Sequence, residues 1–483
     1  MFEFRGQDAR LIFPIVTSQS SMFSRTLSSA CLLYLLLPCL LFLAGWVQPW
    51  VAWPVGMALA GAVLWVAAQC PARRLQWNTA GAMRLGLILL LGAAWVLTTG
   101  PWGLVEQSGD ATVRNAVYAA LVRDSWPLTV EGEPFIYYLA FWLPPALAAK
   151  LGAPAEAALL LWTLLGVWLA LLAVAAGKGT RRALVFLVIL LLLGEMTDWV
   201  NRVYYKLVAG SAWDVFQDWV LFFDLHFTAS CVQLRNTFNH YLAPLVLLSM
   251  MAGRLLPERY GLVAGALVLA CSPLAAVALL PLLLLRGGRA LLNVPTLAVL
   301  PYAALPLLFL AGGVGGQVAF MRPPGDCSLA ALSSAQLWAR YLLQVLVVAA
   351  PALLLLRRWW RPSWFAAALA LAGLMPLLWV GLWNNEFIYK GAAVMWFCLA
   401  WLYAAAWCHA KGPGKALLAL FLLLSASAAY GQLAGALKSF SWQQEARARN
   451  TRNEWHGQLH QPGDARAAQF KGSPRLPGLF RFK

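Results

Sequence analysis

The sequence predicts an all-α fold: a polytopic transmembrane helical bundle of about 13 membrane crossings, with amphipathic juxtamembrane helices in two large outer loops. Three observations predict it. Hydrophobic residues make up 61% of the 483 residues and charged residues 11%, against about 45–50% and about 25% in soluble proteins. No soluble fold buries that much apolar surface, so soluble enzymes, secreted disulfide scaffolds and disordered chains are excluded. The 25 tryptophans fit the same class, because Trp collects at membrane–water interfaces. Finally, 36 Lys and Arg against 19 Asp and Glu give a net charge of +17, and the basic residues sit in short clusters between apolar runs. Such clusters mark cytoplasmic turns before they mark any partner.

One threading places six clusters on a single, cytoplasmic side: Arg73-Arg74, Lys178 with Arg181-Arg182, Arg254/Arg259, Arg286/Arg289, Arg357-Arg358 with Arg361, and Lys411/Lys415. It starts with residues 1–26 in the cytoplasm, followed by a transmembrane domain over 27–432. Spans lie near 27–48, 51–70 and 84–102, and a first outer loop fills 103–155. Spans near 156–176 and 183–197 lead to a second outer loop, 198–239. Further spans follow near 240–256, 260–285, 291–311, 338–356, 363–383, 391–410 and 415–432, and the tail 433–483 ends outside.

Residues 260–285 are read as two short helices rather than one span, because Cys271-Ser272-Pro273 lies at their centre. Proline removes a helix donor and breaks the run, and a protein-buried turn within the membrane is allowed. A single span would send Arg286 and Arg289 to the other side. Residues 135–152, with Pro144-Pro145 inside, are read as a helix at the outer interface. With this threading 16 of the 19 carboxylates lie on the outer side, so chemistry is expected there or in the membrane. The first apolar run begins after 26 residues and leads directly into another, which reads as an anchor rather than a cleaved signal. The layout suits a bacterial inner membrane, N-terminus cytoplasmic and C-terminus extracytoplasmic. Of the eight cysteines, Cys231 and Cys327 fall in outer loops, where pairing is open.

Three places carry candidate chemistry. Asp110 follows Gly109 and precedes Val113, Val117, Ala120 and Leu121 at helical spacing. It is either the N-cap of a short amphipathic helix or a catalytic carboxylate. Glu195 and Asp198 end an apolar run, where ionisable groups are expensive and usually functional. Glu386 and Lys390 stand four residues apart. They are either a helical ion pair or an acidic group beside a cation that holds a phosphate. His240, at the start of a span, reads as a packing residue. No metal-ligand spacing occurs, nor do P-loop, GxGxxG, GxSxG or HExxH motifs.

The chain resembles the C-type membrane glycosyltransferases, the superfamily of protein mannosyltransferases and lipid A aminoarabinose transferases. The resemblance rests on Asp110 in the first outer loop, the Pro134-Phe-Ile-Tyr137-Tyr138 segment, Lys150-Leu-Gly152, Arg181-Arg182 closing the next span, and the short pair at Ser272-Pro273. Two features depart from the family: extra spans precede the acidic loop, and Cys271-Ser272 replaces its Lys-Gly. The resemblance implies a sugar donor on polyprenyl phosphate, a lipid or glycan acceptor at the outer face, and no required metal or other cofactor. By it Asp110 is the base; Arg235, Lys390 and Arg202 are candidates to hold the donor phosphate by their positions alone. Glu195, Asp198 and Glu386 stand behind Asp110 as acidic alternatives. The competing expectations are a lipid or sugar transporter and a non-catalytic membrane scaffold.

Overall fold

The computed structural model describes residues 19–72, 78–100, 102, 104–105, 110–130, 132–194, 196, 227–313, 318–320, 333–357, 362–381, 385–440 and 471–482. Among these the chain is almost entirely helical, with two small antiparallel ribbons. Helices α1 (Gln19–Trp46), α2 (Pro49–Gln69) and α3 (Thr79–Leu97) come first. The short α4 (Asp110–Arg123) and α5 (Leu143–Lys150) follow, then α6 (Ala155–Lys178) and α7 (Thr180–Leu192). Next come α8 (Ser230–Ala252), α9 (Gly261–Leu269), α10 (Pro273–Gly287) and α11 (Val294–Leu310). The chain continues through α12 (Ser334–Leu355), α13 (Pro362–Leu374), α14 (Glu386–His409), α15 (Gly412–Ser425) and α16 (Ser427–Ser439).

Among the described residues seven helices are long and apolar enough to cross a bilayer, eight if the α15–α16 pair, bent by 49°, is counted as one span. This identifies a helical, membrane-type bundle. Length and polarity keep several other helices out of that set. α7 and α13 have 13 residues each, about 20 Å at 1.5 Å per residue, against a hydrocarbon core of about 30 Å. α8 is long, but Gln233, Asn239 and His240 dilute its apolar character.

α8 and α14 form the centre of the bundle, buried along almost their whole length. Small residues let neighbours approach them. Gly391, Ala392, Ala393, Ala400 and Ala404 line α14, and close helix approach in membranes favours such residues. At the α6–α8 crossing, a Cβ at Gly177 would collide with the backbone of Gly253. No side-chain shift relieves a clash with main chain.

Contacts sort the helix ends onto two faces. On one, Ser28 Oγ donates to Leu255 O at 3.4 Å, Arg259 to Gln69 Oε1 at 3.4 Å, and Asn293 Nδ2 to Arg259 O at 2.7 Å. Arg286 pairs with Glu258 and lies over the Trp364 ring at 5.3 Å. This arginine face therefore gathers Arg254, Arg259, Arg286 and the start of α13. On the opposite face the C-terminal segment 471–482 straps over the bundle. It bridges to Val47, Phe135 and Gly313, Gln48 N donates to Leu479 O at 2.9 Å, and Arg481 Nε donates to Val47 O at 2.8 Å. Phe480 is buried against Phe309, ring centroids 5.7 Å apart. This side is the loop face.

α9 and α10 form a hairpin that starts and ends on the arginine face, as the Glu258–Arg286 pair requires. α9 has nine residues, too few to cross. Gly261 and Gly265, one turn apart, leave room for Leu283 of α10; a Cβ at Gly265 would sit 3.0 Å from its Cδ1. The tip at Cys271-Ser272 is buried, and Pro273 opens α10 at a position where its missing N–H costs nothing. Thiol labelling of single cysteines placed at Arg254 and Arg289 is expected to report one side of the membrane, and at Gln48 and Lys471 the other. Opposite sides for Arg254 and Arg289 would mean that the hairpin crosses.

Candidate functional site

The site begins with a turn. β1 (Thr129–Val130) and β2 (Glu133–Pro134) pair across Gly132, whose φ of 81° suits a residue without Cβ. The next residues are pinned at both ends, with Phe135 and Trp142 fully buried. Tyr137 and Tyr138 lie between them, ring centroids 4.1 Å apart, and Tyr137 stacks on Trp142 at 6.0 Å.

Tyr138 is where separate elements meet. Its ring stands edge-on to His240 of α8, centroids 4.2 Å apart and planes at 70°. His240 Nδ1 is 3.2 Å from Ser272 Oγ at the tip of the α9–α10 hairpin. Lys390 of α14 donates to the Tyr138 hydroxyl and sits over the same ring, 4.3 Å from its centroid. Lys390 also pairs with Glu386 one helical turn earlier.

Burial separates the two members of that pair. Lys390 is 4% exposed, whereas the Glu386 side chain is 39% exposed. An exposed helical pair contributes a few tenths of a kcal/mol. A buried ammonium must instead be compensated by its neighbours, here a carboxylate, a hydroxyl and an aromatic face. Asn385 fixes the helix that carries it. Its Oδ1 accepts from the N–H groups of Phe387 (3.1 Å) and Ile388 (3.4 Å), while Nδ2 donates to Met375 O at 3.2 Å. Asn385→Ala is expected to lower stability by about 1 to 2 kcal/mol, read as a fall in the thermal midpoint. No change would show that α14 needs no cap.

A second cation approaches from α4. Burial pushes the Tyr137 phenol pKa up and Tyr138 adds to the rise, while Arg114 and Lys390 act against it. Arg114 and Lys390 also lie within electrostatic reach of His240. The helix of α4 forms where expected, with Ala116, Val117, Ala120 and Leu121 buried. Asp110 is its first residue, one turn before Arg114. The Asp110 side chain lies outside the described residues, as do Glu195, Asp198, Arg202 and Cys327. Cys231 is buried.

Of the sequence-derived candidates, Lys390 and Glu386 are brought together with the Tyr-Tyr segment. Arg235 lies on α8, five residues before His240. It lies beyond a break in α8 at Thr237 (φ −139°, ψ 37°), with Nη1 3.6 Å from where a Cβ on Gly435 of α16 would be. His240, Ser272 and Arg114 join the cluster without having been singled out for it. Arg114 was detectable one turn after Asp110, and His240 as an ionisable group at the edge of an apolar run. Compared with known protein families, with curated proteins and with solved structures, the chain matches none.

Proposed function

We propose that this protein is a membrane glycosyltransferase that moves a sugar from a polyprenyl-phosphate donor to a lipid or glycan acceptor at the outer face of a bacterial inner membrane. The observation that supports it is the buried Lys390 against Tyr138, with Arg114 within electrostatic reach of Tyr137 and His240, as Lys390 is. A fixed ammonium in an apolar setting suits a lipid-borne phosphate, which needs cationic help as it leaves. In the reaction the acceptor hydroxyl oxygen attacks the anomeric carbon, the carbon–oxygen bond to phosphate breaks, and polyprenyl phosphate departs with the electron pair. The hydroxyl proton goes to a carboxylate, for which Asp110 is the first choice. Lys390 and Arg114 take the phosphate, and Arg235 and Arg202 are further candidates. The scheme calls on no metal. The loop face is then the outer face, and both the 103–155 loop and the tail lie outside.

A transporter is the second reading, favoured by the α9–α10 hairpin that breaks at Ser272 beside buried His240. Saturable binding of undecaprenyl phosphate to the protein in nanodiscs is the expected result, competed by its glycosylated form. Absence of binding counts against the glycosyltransferase reading.

A further inference from the structure

Two consecutive buried polar side chains of α8, the second of them against the Tyr138 ring, have no use in the scheme so far. His240 is 1% exposed; Nδ1 meets Ser272, and Nε2 has no hydrogen-bond partner among the described residues. Asn239, the preceding residue of α8, is fully buried, and among the described residues neither its Oδ1 nor its Nδ2 has a partner. Burying polar atoms unmatched is costly, and a membrane bundle has apolar residues to spare. Aromatic residues pack alongside: Phe238 stands edge-on to Phe141 and Trp142, at 5.5 Å and 6.2 Å. Unmatched polar groups in such a setting mark a place where a ligand completes the bonding.

The chemistry of the two groups selects among ligands. A phosphodiester only accepts hydrogen bonds at neutral pH, so it would leave Asn239 Oδ1 unmatched. A hydroxyl both donates and accepts. An amide and an imidazole on consecutive residues of α8 suit adjacent hydroxyls of a sugar. We propose that Asn239 and His240 form a hydroxyl-binding subsite for the sugar of the lipid-linked donor, next to the Lys390–Tyr138 contact that takes its phosphate. The inference rests on the glycosyltransferase reading and assigns separate halves of the donor to separate residues. Ser272 then acts as a positioning residue, holding Nδ1 so that Nε2 stays presented to the ligand.

The test compares binding of bare undecaprenyl phosphate with its glucosyl, mannosyl and galactosyl forms, using the full chain in nanodiscs. Wild type is expected to prefer at least one glycosylated lipid. Asn239→Leu, close in shape but apolar, is expected to lose about tenfold for that lipid while binding bare undecaprenyl phosphate as wild type does. Its thermal midpoint without ligand should hold or rise, because an unmatched buried amide has been removed. His240→Asn, which can keep the Ser272 contact but lacks the far ring nitrogen, should show the same selective loss if Asn239→Leu fails to fold. Equal affinity of wild type for bare and glycosylated lipids overturns the subsite, as does an unchanged preference in both variants. Wild type that binds neither class overturns the glycosyltransferase reading itself.

Discussion

Changing Lys390 to Gln is expected to weaken binding of polyprenyl-phosphate donor by roughly ten- to a hundredfold. The magnitude follows from a charge-assisted hydrogen bond of about 1.5–3 kcal/mol, at about 1.4 kcal/mol per decade of affinity. Burial is what raises the expectation above a surface effect, since Lys390 is 4% exposed. Stability should suffer less than affinity. Glu386, the partner left behind, is 39% exposed and can be hydrated by water. Lys390→Arg keeps the charge but alters its geometry, so partial retention is expected. Tyr138→Phe removes the hydroxyl that Lys390 donates to while keeping the ring beneath it, and should give a smaller loss. Equal donor affinity in wild type, Lys390→Gln and Lys390→Arg would reject Lys390 as a phosphate ligand and return attention to Arg235.

Asp110→Asn is expected to reduce transfer by roughly a hundred- to ten-thousandfold, the usual contribution of a general base, with donor binding nearly intact. Asp110 opens α4, where a negative charge interacts favourably with the helix dipole by about 0.3–1 kcal/mol. Asn gives up that charge but remains a good helix-start residue. The substitution therefore separates a structural role from a chemical one: a small change in thermal midpoint with a large loss of transfer marks the base. Full activity in Asp110→Asn would move the assignment to Glu195 or Asp198.

Much of the architecture was legible because it depends on local composition. Arg254, Arg259, Arg286 and Arg289 place both ends of the short pair on one side, and Cys271-Ser272-Pro273 marks its break. The structure shows that break as a hairpin closed by Glu258 and Arg286. Helix starts were less legible. Ser230–Asn239 is polar enough to read as loop, yet it is helical and mostly buried. Contacts of Phe238 with Phe141 and Trp142, almost a hundred positions away, decide that. α1 likewise begins at Gln19, ahead of the apolar run, because a helix continues past the stretch that is hydrophobic enough to announce it. Helix length within an apolar run is not legible either: 363–383 contains a 13-residue helix followed by the strand Leu378–Val380.

The site divides in the same way. Lys390 was visible as a cation between apolar segments, and the Tyr137-Tyr138 pair through the resemblance. That the two touch depends on α14 and the 103–155 loop meeting at one end of the bundle, which no local pattern encodes. His240 was read as a packing residue. It does pack against Tyr138 and contacts Ser272, but the unpartnered Nε2 becomes apparent only when its surroundings are placed.

The most direct test of the central claim follows the bond between sugar and phosphate. Proteoliposomes carrying the full chain are given undecaprenyl-phosphate sugar with a radiolabelled sugar, together with envelope glycolipid and glycan as acceptors, and bare undecaprenyl phosphate is quantified over time. The account predicts that wild type releases undecaprenyl phosphate as label enters the acceptor fraction, while Asp110→Asn binds the donor and releases none. Label that crosses the bilayer still attached to its lipid, with no undecaprenyl phosphate released by wild type, would contradict the account and identify a transporter.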